Sequence, residues 1–154
     1  MAKLFIFQME YSINEFLTLT AKSRYKKNDK IEENVHLRVC GYLKMLHPDV
    51  IFMSDIASGM RMSIGQAVKA KKFRSSRGQP DLFIAKPSRN MHGLFIEIKK
   101  EGTKIYLKDG ETVVSDPHIQ EQWAILDELR LMGYAAEFGI GYDECIRIIE
   151  SYLK

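Results

Sequence analysis

The segment GQPDLFIAKPSRNMHGLFIEIKK, residues 78–100, contains two short apolar runs separated by residues that favour turns. The runs at residues 82–85 and 94–98 are each short, apolar and bounded by glycine or proline, which is typical of a β-strand. The stretch between them, KPSRNMHG, is rich in turn-forming residues. The segment therefore predicts two strands that are neighbours along the chain.

Three polar side chains stand out in this segment. Asp81 directly precedes the first predicted strand, whereas Glu97 and Lys99 lie two residues apart near the end of the second. Because side chains alternate between the two faces of a strand, Glu97 and Lys99 share one face and Ile96 and Ile98 share the other. If the two strands pair, Asp81 comes close to Glu97.

Such a group of side chains has a specific chemical use. Two neighbouring carboxylates repel each other unless a proton or a cation lies between them, and Mg²⁺ or Mn²⁺ prefers oxygen ligands of this kind. The ammonium group of Lys99 beside the metal would orient a water molecule or stabilise charge on a phosphate, as phosphodiester hydrolysis requires. The alternative is that Asp81, Glu97 and Lys99 meet by chance, because such residues are common at strand ends.

The rest of the chain has the alternation of an α/β protein. Apolar residues at helical spacing predict a helix at residues 30–46, with Ile31, Val35, Val39, Leu43 and Leu46 on one stripe and Asn28 or Asp29 as its cap. Further helices are predicted at 63–72, from Asp116-Pro117 to 132, and at 142–152. Strands are predicted at 4–7, 50–53, 104–107, 112–114 and 135–140, and Gly133 as a helix C-terminal cap.

Length and composition set limits on the class of protein. The 154 residues, with 45% hydrophobic and 28% charged residues, fit one globular domain spanning 1–154. Two cysteines give neither a disulfide framework nor the paired spacing of a zinc site, which favours a reduced, intracellular setting. The apolar run at residues 4–7 is too short for a signal-peptide core or a membrane span.

Positive charge is concentrated in two segments. Residues 56–80 contain no acid, and residues 22–30 are basic apart from Asp29. Two basic segments in a chain that also carries these acidic candidates favour a polyanionic partner, although each could instead be an ordinary solvated surface. The residues of the first segment that are predicted to bind nucleic acid are Arg61, Lys69, Lys71, Lys72, Arg74 and Arg77.

Two predicted helices offer further polar candidates. Glu32 lies in the first turn of the early helix and could reach a metal, although Glu33 competes for this role and a favourable interaction with the helix dipole is the simpler explanation. Gln122, on the helix that begins at Pro117, could hold a water molecule or a phosphate oxygen, although surface glutamines are commoner. His118, at the start of that helix, is expected to be exposed.

The pattern resembles the VRR-NUC branch of the PD-(D/E)XK nucleases, in the form of its standalone phage and bacterial members. The resemblance covers residues 32–153 and leaves residues 1–30 as an N-terminal extension. It includes E-x-x-V-H-x-x-V-x-x-x-L from Glu32, SGMRMSIGQAVKA from Ser58, RGQPDLF, FIEIK, and QWAILDELRLMGY from Gln122. The chain departs from the family at His36, where glutamine is usual, and at Ser58, where asparagine is usual.

The resemblance implies a fold, a set of site residues and a metal. The fold is a restriction-endonuclease-like core, a mixed β-sheet flanked by α-helices. The metal ligands for Mg²⁺ or Mn²⁺ would be Asp81, Glu97 and the main-chain carbonyl of Ile98. The catalytic residues would be Glu32, Asp81, Glu97, Lys99 and Gln122.

The resemblance also implies what the chain acts on and with. By its resemblance to the small members of the family, the chain is expected to form a homodimer that cuts branched DNA such as Holliday junctions. The expected location is the cytoplasm of a bacterial or phage-infected cell. We therefore expect a structure-selective DNA endonuclease. The alternatives are a nuclease for flaps, DNA ends or a specific sequence, a non-catalytic DNA-binding module of the same fold, or a purely structural protein.

Overall fold

The computed structural model describes residues 31–55, 63–73 and 78–154, without the side chains of residues 31–33, 67, 70, 71 and 73. The elements of these ranges are listed here in chain order: α1 (Ile31–Leu46), β1 (Phe52–Ser54), α2 (Ile64–Phe73), β2 (Leu82–Ile84), β3 (Leu94–Lys99), α3 (Pro117–Leu131), β4 (Ala135–Ile140) and α4 (Gly141–Leu153). The predicted helices and the strand at 135–140 are confirmed, with helix ends that shift by about one residue.

The strands form one mixed sheet in the order β1-β2-β3-β4. β1 and β2 are antiparallel, as are β2 and β3, and Leu82 of β2 lies opposite Ile96 of β3. β3 and β4 are parallel, which requires a crossover connection, and α3 provides it. This arrangement confirms the predicted mixed sheet flanked by helices.

One face of the sheet packs against α1 and α4. Ile96 and Ile98 of β3 are fully buried there, together with Val39 of α1 and Ile149 of α4. Cys145 of α4 is also in this cluster, and burial raises the pKa of its thiol to about 12, with the charges of Glu144 and Asp81 adding to the shift. The thiol therefore stays protonated and chemically inert at neutral pH.

The opposite face of the sheet packs against α3. Leu126 of α3 and Phe138 of β4 are buried in a second cluster, and Phe95 of β3 and Trp123 of α3 are partly buried against it. Packing is therefore confirmed as a role of Trp123. Because Phe95, Glu97 and Lys99 alternate with Ile96 and Ile98 along β3, the two polar residues belong to this second face.

Both ends of α3 are fixed by hydrogen bonds, and they lie where the sequence predicted the helix to begin and end. Asp116 accepts hydrogen bonds from the main-chain N–H groups of His118 and Ile119, at 2.9 and 3.1 Å. After the helix, Gly133 takes a φ of +88°, a left-handed conformation that favours glycine. The N–H of Tyr134 then returns to the carbonyl of Leu129 at 3.1 Å, the Schellman form of helix ending.

Two details of the prediction are wrong. Residues 104–114 form a single bridge between Tyr106 and Val113 instead of two strands. The turn between them is closed by the Asp109 carboxylate, which accepts hydrogen bonds from the N–H groups of Glu111 and Thr112 and from the Thr112 hydroxyl. Leu46 is 55% exposed, because the chain leaves the cluster where α1 ends. The predicted strand at 4–7 and the cap at Asn28 or Asp29 lie outside the described residues. In the described part of the chain, no helix is long and apolar enough to cross a membrane.

Candidate active site

Asp55, Asp81 and Glu97 form an acidic row across the sheet. Asp55 directly follows β1, Asp81 directly precedes β2, and Glu97 lies within β3. Extending the β2/β3 register by one residue past Leu82 and Ile96 places Asp81 opposite Glu97. On the other side, the N–H of Asp55 donates to the carbonyl oxygen of Asp81 at 2.8 Å. Residues directly opposite each other in a sheet point to the same face, which here is the α3 face. The predicted approach of Asp81 to Glu97 follows from this register.

Asp81 is held by the strand that carries the other candidates. Its Oδ2 accepts a hydrogen bond from the main-chain N–H of Ile98 at 2.9 Å. Ile98 is the residue between Glu97 and Lys99, so this bond ties the carboxylate of Asp81 to the centre of the motif. Asp81 is 6% exposed, and a buried carboxylate requires such a donor to offset the loss of water.

Lys99 and Gln122 both bind the carboxylate of Glu97. The Nζ of Lys99 lies 3.0 Å from Oε1 of Glu97, and the side-chain amide of Gln122 on α3 donates to the same oxygen. Glu97 and Lys99 are 3% and 8% exposed. Breaking a buried ion pair of this kind is costly, because the remaining charge has neither water nor a partner. These contacts hold the lysine beside the carboxylates.

The loop that leads into β2 packs directly on α3 at this site. Gly78 has a φ of +74°, and a Cβ placed on it would lie 3.4 Å from the Cα of Gln122. The close approach brings the end of the basic segment, residues 56–80, next to the helix that carries Gln122. The site is therefore enclosed by β2, β3 and α3.

The oxygen atoms at the site suit a hard divalent cation. Among the described residues, no group of three or more His, Cys, Asp or Glu side chains is placed to hold a metal. The available donors are the carboxylates of Asp81 and Glu97, the Ile98 carbonyl and the amide oxygen of Gln122. That amide oxygen is buried without a hydrogen-bond partner in the part of the chain that the structure describes, which fits a polar ligand beside it. An all-oxygen set of this kind matches Mg²⁺ or Mn²⁺.

The other predicted site residues are placed only in part. Glu32 and Glu33 lie in the first turn of α1, but their side chains are outside the described set. Lys69 and Lys72 are exposed on α2. The remaining basic candidates lie outside the described residues or lack a described side chain, namely Arg61, Lys71, Arg74 and Arg77. His118 is exposed, as predicted.

Sequence reasoning missed a buried contact beside the acidic row. His36 of α1 is 7% exposed, and its Nε2 lies 2.6 Å from the Oγ of Ser54, the last residue of β1. Ser54 directly precedes Asp55, so the contact fixes the strand end that bonds to Asp81. The only signal in the sequence was the departure from the family pattern at His36, four residues after Glu32.

Comparison with known proteins supports one family. No model of a protein family matches the sequence, and no curated protein shows significant similarity to it. A solved structure described as a "VRR_NUC domain protein" is similar with a TM-score of 0.57 and 25% sequence identity, over 84% of this chain and 91% of that chain. This similarity supports the VRR-NUC family, and the mixed four-stranded sheet with flanking helices matches the PD-(D/E)XK-like fold of that structure.

Proposed function

We propose that this chain is a metal-dependent DNA endonuclease that hydrolyses phosphodiester bonds in branched DNA such as Holliday junctions. The observation that carries the proposal is the buried cluster of Asp81, Glu97, Lys99 and Gln122. The similarity to a VRR_NUC domain protein supports nuclease chemistry at this cluster. An intracellular setting is part of the proposal, because DNA of this form is found inside cells.

Each residue of the cluster would have a separate role in hydrolysis. Asp81, Glu97 and the Ile98 carbonyl would hold Mg²⁺ or Mn²⁺, which supplies a Lewis acid and lowers the pKa of a bound water. Glu97 holds the Nζ of Lys99 at 3.0 Å, and the ammonium group would stabilise the negative charge that develops on the phosphate. Gln122 donates to the same carboxylate oxygen of Glu97, and its buried amide oxygen would be a further ligand for the metal or a water molecule.

Other parts of the chain would bind and position the DNA. Lys69 and Lys72 on α2 are exposed and come shortly before Gly78 in the sequence, which makes them candidates for binding DNA phosphates. Glu32, in the first turn of α1, would add an acid to the cluster. Symmetric cutting of a four-way junction needs two active sites related by a two-fold axis, which favours a homodimer.

The test is cleavage of junction, flap and linear duplex DNA in parallel with Mn²⁺ or Mg²⁺. Lys99→Met should abolish cleavage, whereas Lys100→Met, which alters the exposed neighbour of Lys99, should leave it intact. Asp81→Asn should also abolish cleavage, with Asp49→Asn as its matched control. Unchanged cleavage by Lys99→Met and Asp81→Asn would overturn the assignment of the site.

The pattern of substrates separates this function from its alternatives. Faster cutting of the junction than of flap and duplex is the result that we expect. Preference for flaps, ends or one sequence would retain the nuclease and replace its substrate. Binding of DNA without cleavage of any substrate would indicate a non-catalytic module, and calorimetric Mn²⁺ binding that is lost in Glu97→Ala would contradict that alternative.

A further inference from the structure

The acidic row has an apolar strip beside it on the same face of the sheet. Phe83 comes two residues after Asp81, and Phe95 two residues before Glu97, so strand alternation places both rings on the α3 face. Met53 of β1 lies opposite Phe83, and Phe83 lies opposite Phe95. The strip formed by Met53, Phe83 and Phe95 therefore runs alongside the acidic row, about 7 Å from it, because each residue advances a strand by about 3.4 Å.

The two phenylalanine rings of the strip stack on each other. Their centroids are 4.3 Å apart and their planes are inclined by 22°. Gly93 makes room for this arrangement, because a Cβ placed on it would lie 2.6 Å from Cε2 of Phe83. The ring of Tyr134 stands at 73° to both, with its centroid 6.0 Å from that of Phe83 and 5.2 Å from that of Phe95. These contacts hold the Phe83 ring in one orientation before any ligand arrives.

The β1 side of the strip is accessible to solvent. Met53 is 59% exposed, and Phe83 and Phe95 are half-buried. Ala85, two residues after Phe83, is also exposed. α3 packs over the β4 side of this face, where it buries Phe138, so the apolar side chains on the β1 side stay within reach of a ligand at the acidic row. Adjoining exposed apolar side chains bordered by polar residues are typical of a binding surface.

The chemistry of the strip selects the uncharged part of a nucleic acid. Met53, Phe83 and Ala85 carry no charge, so a phosphate gains nothing from them. A base, in contrast, stacks on an aromatic ring, and every base has a π-face that can do so. Successive bases of a stacked strand are about 3.4 Å apart, so the separation of about 7 Å between the acidic row and the strip corresponds to about two nucleotides.

We propose that Phe83, backed by Phe95 and bordered by Met53, is a stacking platform for an unpaired base within about two nucleotides of the phosphate that is cut. The inference rests on the proposed function, because cleavage at the acidic row defines which base reaches the platform. It deepens that function by making an unpaired base a determinant of substrate choice. A base that is already unpaired reaches the platform at the least cost, and branched DNA offers such bases where its arms meet.

The experiment compares binding of two duplexes, one with a single bulged nucleotide and one in which that nucleotide lacks its base. Fluorescence anisotropy in Ca²⁺, without Mg²⁺ or Mn²⁺, measures binding apart from cleavage. Wild type should bind the intact bulge roughly ten- to a hundredfold more tightly than the base-free one. Phe83→Leu removes the ring and should bind both duplexes with the same weakened affinity. Phe83→Tyr retains a ring and should keep the preference.

A second pair of variants tests the strip at an exposed position, where folding is not at risk. Met53→Ala should lower the preference for the intact bulge a few-fold, because it removes apolar contact beside the ring. Met132→Ala is its matched control, since Met132 is 62% exposed at the end of α3, and it should leave the preference unchanged. Circular dichroism checks that every variant is folded.

The coupling between ring and base distinguishes the platform from a purely structural role of Phe83. Equal binding of the two duplexes by wild type would overturn the proposal, as would a full preference in folded Phe83→Leu. If Phe83→Leu does not fold, an unchanged preference in Met53→Ala overturns it. Junction cleavage by wild type with Mn²⁺ is measured separately. Cleavage without the preference would overturn the platform and retain the nuclease, whereas the preference without cleavage of any DNA would retain the platform and overturn the proposed function.

Discussion

The two faces of the sheet differ in what they bury, although the same strand supplies both. Residues Ile96 and Ile98 of β3 point toward α1 and α4 into a cluster of aliphatic side chains. Glu97 and Lys99, one position away, point toward α3, where their buried charges bind each other and Gln122. The period of two along a strand thus places a stabilising core and a reactive site back to back.

This difference predicts that substitutions on the two faces have separable effects. On the α1/α4 face, removed apolar volume should reduce stability and leave the reactive groups in place. On the α3 face, removal of one charge should abolish activity, and it should also reduce stability because the ion-pair partner stays buried without its counter-charge. The substitutions described next test this separation, beginning with the largest expected effect.

Glu97→Gln should reduce the cleavage rate by roughly a thousandfold, the scale seen when a preorganised charge at a transition state is lost. The melting temperature should also fall, because the amide leaves the buried ammonium group of Lys99 without its counter-charge. Single-turnover cleavage and thermal unfolding measure the two effects. Glu101→Gln, at an exposed acid two residues after Lys99, should change neither. Cleavage near the wild-type rate in folded Glu97→Gln would show that the face is mainly structural.

Ile96→Ala should lower the free energy of unfolding by about 2–5 kcal/mol, because it leaves a cavity at a fully buried position. The cleavage rate of the folded protein should remain within a few-fold of wild type. Urea denaturation gives the stability, and cleavage at low temperature gives the activity. The control is Ile51→Ala, at a side chain that is 72% exposed. Loss of cleavage in fully folded Ile96→Ala would mean that the two faces are coupled.

Glu150→Gln should cost about 1 kcal/mol of stability at neutral pH, as is typical when a half-buried hydrogen bond is weakened. Glu150 joins α4 to α1, since its Oε1 accepts from the Tyr42 hydroxyl at 2.6 Å and lies 2.7 Å from Nε2 of His47. The Tyr42 hydrogen bond, and then His47, lower the pKa of Glu150. Burial, with Glu150 adding, raises the pKa of Tyr42 to about 12.

The lowered pKa fixes the sign of the pH dependence for Glu150. The stabilisation is present above the pKa of a glutamate in the unfolded chain and is lost as the pH falls through the lower pKa of the folded state. Wild type and Glu150→Gln should therefore differ in urea midpoint at neutral pH and converge in acid. A difference that grows on acidification would contradict the role of the ionised carboxylate. Cleavage should be equal in the two proteins.

His36→Gln should have the smallest effect, because a glutamine amide can also bond to the Ser54 hydroxyl. Stability should change by less than about 0.5 kcal/mol, whereas His36→Leu, which leaves Ser54 without this contact, should lose about 1 kcal/mol or more. Equilibrium denaturation of both variants measures the difference, and cleavage should follow the same order. Equal losses for His36→Gln and His36→Leu would mean that the imidazole ring has a role of its own.

Much of the fold follows from local sequence patterns. Hydrophobic spacing located α1, α3, α4 and the central strands, because each of these elements buries a regular stripe of side chains. The same alternation placed Glu97 and Lys99 on one face before any partner strand was known. Two strands were predicted within residues 104–114, where the structure has an isolated bridge. The turn signal at Asp109 is local and does not indicate whether the flanking residues pair as strands.

The residues that were missed depend on strand order, which local patterns do not contain. Asp55 lies in the acidic row only because β1 pairs with β2 at one particular register. His36 meets Ser54 because α1 crosses the end of that same strand. Each of these contacts joins elements whose mutual placement is set by the packing of the whole sheet.

The hydrogen bond from the Ile98 amide to Asp81 also makes that amide a spectroscopic reporter. Ile98 is fully buried, and its amide proton points at Oδ2 of Asp81, a predicted metal ligand. Any cation that draws electron density from Asp81 weakens the acceptor and shifts the resonance of this single amide. Nuclear magnetic resonance can therefore follow the charge state of Asp81 in the intact protein, without substituting any residue of the site and without DNA present.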